Sequence, residues 1–128
     1  MKQFLPVLFA LIAVPVSADD SERSDAYDAM LGCAAFHTIE SSKLQGDAAE
    51  AQRAMAYDFA EVAAPLAPDG KESTADADLK ALLESYRQKL DTGDVREMAE
   101  DWTALESACA ELYPVRKAIG KALRPSSE

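Results

Sequence analysis

The chain has 128 residues, with 13 Lys and Arg against 23 Asp and Glu, giving a formal net charge of −10. That balance excludes the basic face that nucleic-acid binding needs, and the length leaves room for one ordinary domain. A single histidine, His37, and only two cysteines, Cys33 and Cys109, argue against zinc sites and histidine-based triads, which need several matched groups.

Residues 1–18 have the three parts of a secretory signal. They are the positive Lys2, an apolar run from Phe4 to Val16, and small residues at Val16-Ser17-Ala18. The run carries Pro6 and Pro15 and is shorter than the roughly 20 apolar residues needed to cross a bilayer, so it predicts cleavage after Ala18 rather than anchoring. Met30-Leu31-Gly32-Cys33 superficially matches a lipidation box, but the acidic stretch from Asp19 to Asp28 separates it from the apolar run. The chain after Ala18, residues 19–128, has 12 basic and 23 acidic residues, a net charge of −11. The expected location is periplasmic or secreted, with no transmembrane segment after cleavage.

Alanine is abundant, asparagine is absent and β-branched residues are few after the signal, a composition that favours helix over sheet. A first helix is expected over 24–44, with Ser24 as N-cap, Asp25 and Asp28 in its first turn, and a broad apolar stripe through Tyr27, Met30, Leu31, Cys33, Phe36 and Ile39. Gln45-Gly46 ends it, glycine suiting a left-handed turn. Asp47 and Glu50 open a second helix, 47–64, with Ala51, Met55, Phe59 and Val62 on one face and Pro65 beyond its end.

The segment Pro65 to Ala75 is rich in proline, glycine and polar residues and reads as a flexible loop. Asp76 caps a third helix, 76–91, whose Leu79, Leu82, Leu83, Tyr86 and Leu90 form the cleanest helical series in the chain. Thr92-Gly93 closes it. Asp94 and Glu97 begin a fourth helix, 94–113, with Val95, Met98, Trp102, Leu105, Cys109 and Leu112 on one stripe and Trp102 as an interior anchor. Pro114 interrupts, and a short fifth helix is expected over 115–123.

Four amphipathic helices with mostly short connections predict an all-α, four-helix up-down bundle. The first and fourth helices are then neighbours, so Cys33 and Cys109 can form a disulfide across the core, which an exported compartment favours. Cys33-Ala34-Ala35-Phe36-His37 keeps the first cysteine and the histidine of a c-type haem motif, but Phe36 replaces the second thiol. His37 and Phe36 are therefore expected in the core, and no cofactor or metal is assigned. His37 and Glu40 run opposite to the Glu-x-x-His order of di-iron bundles, and no second copy exists. Phosphate loops, nucleophile elbows and CxxC motifs are absent, so no catalytic residue is assigned and no enzyme is expected.

Met30, Met55 and Met98 are spaced as core, as are Tyr27, Tyr86 and Tyr113, whereas Tyr57 falls on a shifted face and is the aromatic expected at the surface. From Pro114 onward the chain carries Arg116, Lys117, Lys121 and Arg124 against Glu128, a +3 tail on a body of −14 (residues 19–113, 8 basic against 22 acidic). That tail either lies against its own acidic bundle or, with Tyr57, offers an interaction surface for a partner or for anionic lipid.

In cysteine number and size the chain resembles the small acid-stress chaperones of the HdeA type, which are exported, helical and held by one disulfide. The resemblance carries no site residue. The expected function is binding, to a partner protein, an unfolded client or a small apolar ligand. The alternatives are a structural role in an envelope assembly and, last, a haem- or cofactor-carrying bundle.

Overall fold

The computed structural model describes residues 20–93 and 95–124. The expected signal segment, with its cleavage site, and Asp94 lie outside the described residues, as do the side chains of Val95 and Glu97 that shared in the fourth helix's start. The architecture is all-α. Its helices are α1 (Asp20–Ser42), α2 (Gly46–Ala63), α3 (Glu72–Thr92), α4 (Val95–Leu112) and the short α5 (Arg116–Leu123). One-turn 3₁₀ segments, Ala64–Leu66 and Tyr113–Val115, follow α2 and α4, each with proline inside its first turn. Among the described residues there is no strand, and no helix is long and apolar enough to cross a membrane.

α1 is the axis of the molecule. Every residue from Met30 to His37 is buried, more than two full turns, so all faces of that stretch are covered. Gly32, Ala34 and Ala35 let neighbouring helices come close, while Met30, Leu31 and Phe36 fill the gaps between them. The most extensive packing is between α1 and α2, with α3, α4 and α5 also against α1. Phe59 of α2, together with Leu66 and Ala67 after it, completes the centre of the core.

The Cys33–Cys109 disulfide joins α1 to α4 across a Cα–Cα distance of 5.5 Å, and both cysteines are buried. Cys109 is the one described side chain of α4 that is fully enclosed; Met98, Trp102, Leu105 and Leu112 are half-buried. Trp102 is thus an edge residue and not the interior anchor its spacing suggested. α4 covers one flank of α1, which leaves the outer side of the indole open.

Several boundaries differ from expectation for identifiable reasons. α1 runs through Ser24, which is an exposed helical residue and caps nothing. α1 also stops at Ser42, where Lys43 and Leu44 N–H groups bond back to the Glu40 and Ser41 carbonyls. Gly46 does take the left-handed conformation, φ +63°, but as the first residue of α2. Ala51 is exposed, and the buried α2 positions are Ala49, Ala56, Phe59 and Ala63.

The expected flexible loop is mostly structure. Leu66 and Ala67 are enclosed in the core, Gly70 turns at φ +69°, and α3 starts at Glu72, so Asp76 lies inside the helix. Asp69 braces the turn before the helix, its carboxylate accepting from the Lys71 N–H at 3.0 Å and from Thr74 Oγ1 at 2.7 Å. Those bonds hold its carboxyl below the usual carboxylate range.

Candidate functional site

A cleft of about 720 Å³ lies between α1, α2 and the start of α3. Its floor is built from a spacing rule. Ala56 and Ala60 of α2 and Ala64, the residue just past its end, fall at i, i+4 and i+8 and line up along one ridge. Methyl side chains leave space where larger residues would close the α2–α3 seam. Leu79 of α3 supplies the opposite apolar wall, and Pro65 closes one end.

Two hydroxyl residues of α1, Thr38 and Ser41, also line this cleft, but their protons are already committed. Thr38 Oγ1 donates to the Ala34 carbonyl at 2.7 Å and Ser41 Oγ to the Thr38 carbonyl at 2.6 Å. Such back-bonding turns a nominally polar wall into one with few donors to offer. Charged side chains, Arg53, Glu61, Glu72 and Asp76, stand around the apolar floor, and Tyr57 is 70% exposed beside it. An apolar floor with a polar rim is the general construction of a small-molecule or peptide site, and the volume falls within the usual range of about 300 to 1,000 Å³.

Around the rest of the bundle, three aromatic donors are tied to carboxylates on other segments. Tyr27 OH donates to Asp78 at 2.6 Å, joining α1 to α3; the Trp102 indole N–H donates to Glu40, joining α4 to α1; and Tyr113 OH donates to Asp58, joining the second 3₁₀ turn to α2. Burial, followed by the hydrogen bond to Asp78, pushes the Tyr27 phenol far above its ordinary range. Burial works against ionisation of Glu40, but the bonds from Trp102 and from Lys43 outweigh it and hold the carboxyl below the ordinary range. Trp102 also packs against Phe36 and Tyr86, with ring centroids 4.8 and 5.8 Å away, and Lys43 lies over its face at 5.4 Å.

His37 sits in the core as expected. Its Nδ1 is 2.6 Å from Gln52 Oε1, and its ring stacks on Phe59 at 5.7 Å. No group of three His, Cys, Asp or Glu side chains is gathered to hold a metal among the described residues. Cys33, the first residue of the haem-like segment, has its sulfur bonded to Cys109.

The basic tail divides. Arg116 is withdrawn from the expected surface: its side chain is only 13% exposed, 3.5 Å from Asp58, donating to the Tyr113 carbonyl and stacked 4.0 Å from that ring. It therefore belongs to the packing of α5 on α2, which carboxylate and aromatic partners make favourable for a guanidinium. Its Nε is buried without an acceptor. Lys117, Lys121 and Arg124 are exposed and line a second cleft of about 360 Å³ with Glu61, Val62 and Pro65. Tyr57 belongs to the first cleft and these three cations to the second, and Glu61 and Pro65 line both.

Sequence reasoning missed Glu40, Asp58 and Asp78 as acceptors, because a carboxylate on a helix reads as solvated unless its partner is known. It also passed over the alanine ridge of α2, although the spacing of Ala56, Ala60 and Ala64 was there to be read. Comparison with protein-family models, curated proteins and solved structures finds no match to this chain.

Proposed function

We propose that this chain is an exported, non-enzymatic binding protein that takes an apolar ligand, or an apolar segment of a partner, in the cleft between α1, α2 and α3. The observation that carries the proposal is the floor of that cleft: three alanines on one ridge, opposed by Leu79 and flanked by hydroxyls already bonded to their own helix. Burial of apolar surface is the main source of affinity such a floor can offer. Export is supported by the secretory pattern of residues 1–18 and by the disulfide, which oxidising compartments favour.

The test uses Nile red, a neutral apolar dye, with the purified protein and with Ala60→Leu, which fills the middle of the floor. Dye emission should rise and shift to the blue with the parent, and lose most of that change with Ala60→Leu while the far-ultraviolet melt stays in place. Equal dye binding by a well-folded Ala60→Leu protein means that the cleft is not the site.

A further inference from the structure

We propose that the occupant of the cleft is a single-chain amphipathic anion, its apolar chain along the alanine ridge of α2 and its carboxylate or phosphate head group against Lys117, Lys121 and Arg124. This rests on the binding reading above and adds to it the chemistry of the head group. Glu61 and Pro65 line both clefts, so the apolar floor over Ala56, Ala60 and Ala64 and the cations of α5 lie on adjacent sides of the same stretch of chain. From Ala56 to Pro65 the ridge rises about 13 Å at 1.5 Å per residue, room for an extended alkyl chain.

The sign of the second cleft is what selects an anion. In a chain of net charge −10, three cations converge there against the single carboxylate of Glu61. Among the described residues none of the three forms an ion pair, whereas Arg116, one residue earlier, is taken up by Asp58. A helix macrodipole accounts for cations in a last turn, and so for Lys121 and Arg124. Lys117 lies in the first turn of α5, where a cation is disfavoured, so the dipole does not explain it.

α5 is also held firmly enough to present these charges. Its Gly120 backbone lies so close to α2 that a Cβ there would come within 2.7 Å of Val62 Cγ1, and Ile119 and Leu123 pack onto the core. With Ile119 and Leu123 packed onto the core, the exposed apolar residues of α5 are the small Ala118 and Ala122, which offer little to insert into a bilayer and favour a monomeric anion over a membrane surface.

Titration calorimetry with dodecanoate and with dodecan-1-ol, both below their aggregation limits, tests the proposal. Dodecanoate should bind about tenfold more tightly at low salt, the equivalent of two or three exposed ion pairs, and the advantage should shrink as salt is added. Shortening the chain should weaken binding by up to about fourfold per methylene. The triple variant K117Q/K121Q/R124Q should bring dodecanoate down to the level of dodecan-1-ol. If the two ligands bind equally and the triple variant changes nothing, the head-group site is wrong while the apolar cleft stands. If neither binds, the cleft reading fails with it. Sedimentation with phosphatidylglycerol vesicles without binding of monomeric dodecanoate overturns the proposal in favour of a membrane surface, and equal affinity for a short acidic peptide overturns it in favour of simple charge recognition.

Discussion

Breaking the Cys33–Cys109 bond should separate α4 from the rest of the protein before the core around α1 and α2 is lost. The bridge closes a loop of 77 residues, being 76 apart in sequence, and loop-closure entropy puts its contribution at about 4.5 kcal/mol. Against a total stability of about 5 to 15 kcal/mol for a domain of this size, that is roughly 30% or more. With an unfolding entropy near 2.1 cal/mol/K per residue over roughly 110 residues, the melting temperature should fall by about 20 °C. The loss is directed at α4 because Cys109 is its one fully enclosed described side chain, whereas α1 and α2 keep Met30, Phe36 and Phe59 between them. The measurement is a far-ultraviolet melt of the oxidised protein, the reduced protein and Cys33→Ala/Cys109→Ala, with Trp102 emission followed alongside. Trp102 leaves Phe36 and Glu40 when α4 undocks, so its emission should move to the red and become more open to acrylamide quenching. A fall of less than about 5 °C on reduction, with Trp102 unmoved, would refute the reasoning and assign the docking of α4 to Trp102, Leu105 and Leu112.

Four further outcomes are expected. Trp102→Phe removes the indole donor but keeps most of the ring contact, and should cost about 1 to 2 kcal/mol in urea unfolding because Glu40 loses a charge-assisted bond. Since Glu40 is held below its ordinary range, its contribution is complete above the unfolded carboxylate value of about 4.3 and is lost as pH falls through the folded value; Glu40→Gln should flatten that part of the stability–pH curve. Tyr27→Phe should cost about 1.5 kcal/mol, and a phenolate titration of the parent should lose its most alkaline component in that variant, with the stability due to Tyr27 present below about pH 10 and lost as pH rises through its raised value. Gly120→Ala should cost about 1 to 3 kcal/mol by forcing α5 away from the stiff, β-branched Val62, measurable as a lower urea midpoint.

The helices and their order were legible in the sequence because their signals are local. A 3.6-residue apolar period, a glycine able to turn left-handed at Gly46, and prolines at 65 and 114 act over a few residues, and α2 lies within one residue of its expected span. With only two cysteines, both on apolar stripes, the pairing across α1 and α4 was legible as well. What belonged to tertiary structure alone was which side chains meet. Trp102 and Glu40 are 62 residues apart, Tyr113 and Asp58 55, and Tyr27 and Asp78 51, so nothing near any of these carboxylates marks it as an acceptor. The same holds for the tail: Arg116 and Lys117 look alike in sequence, yet one is half-buried against Asp58 and the other opens onto a cleft. A helix turns about 100° at each residue, so adjacent cations point in different directions, and only the docking of α5 on α2 decides which of them finds a partner and which remains to bind one.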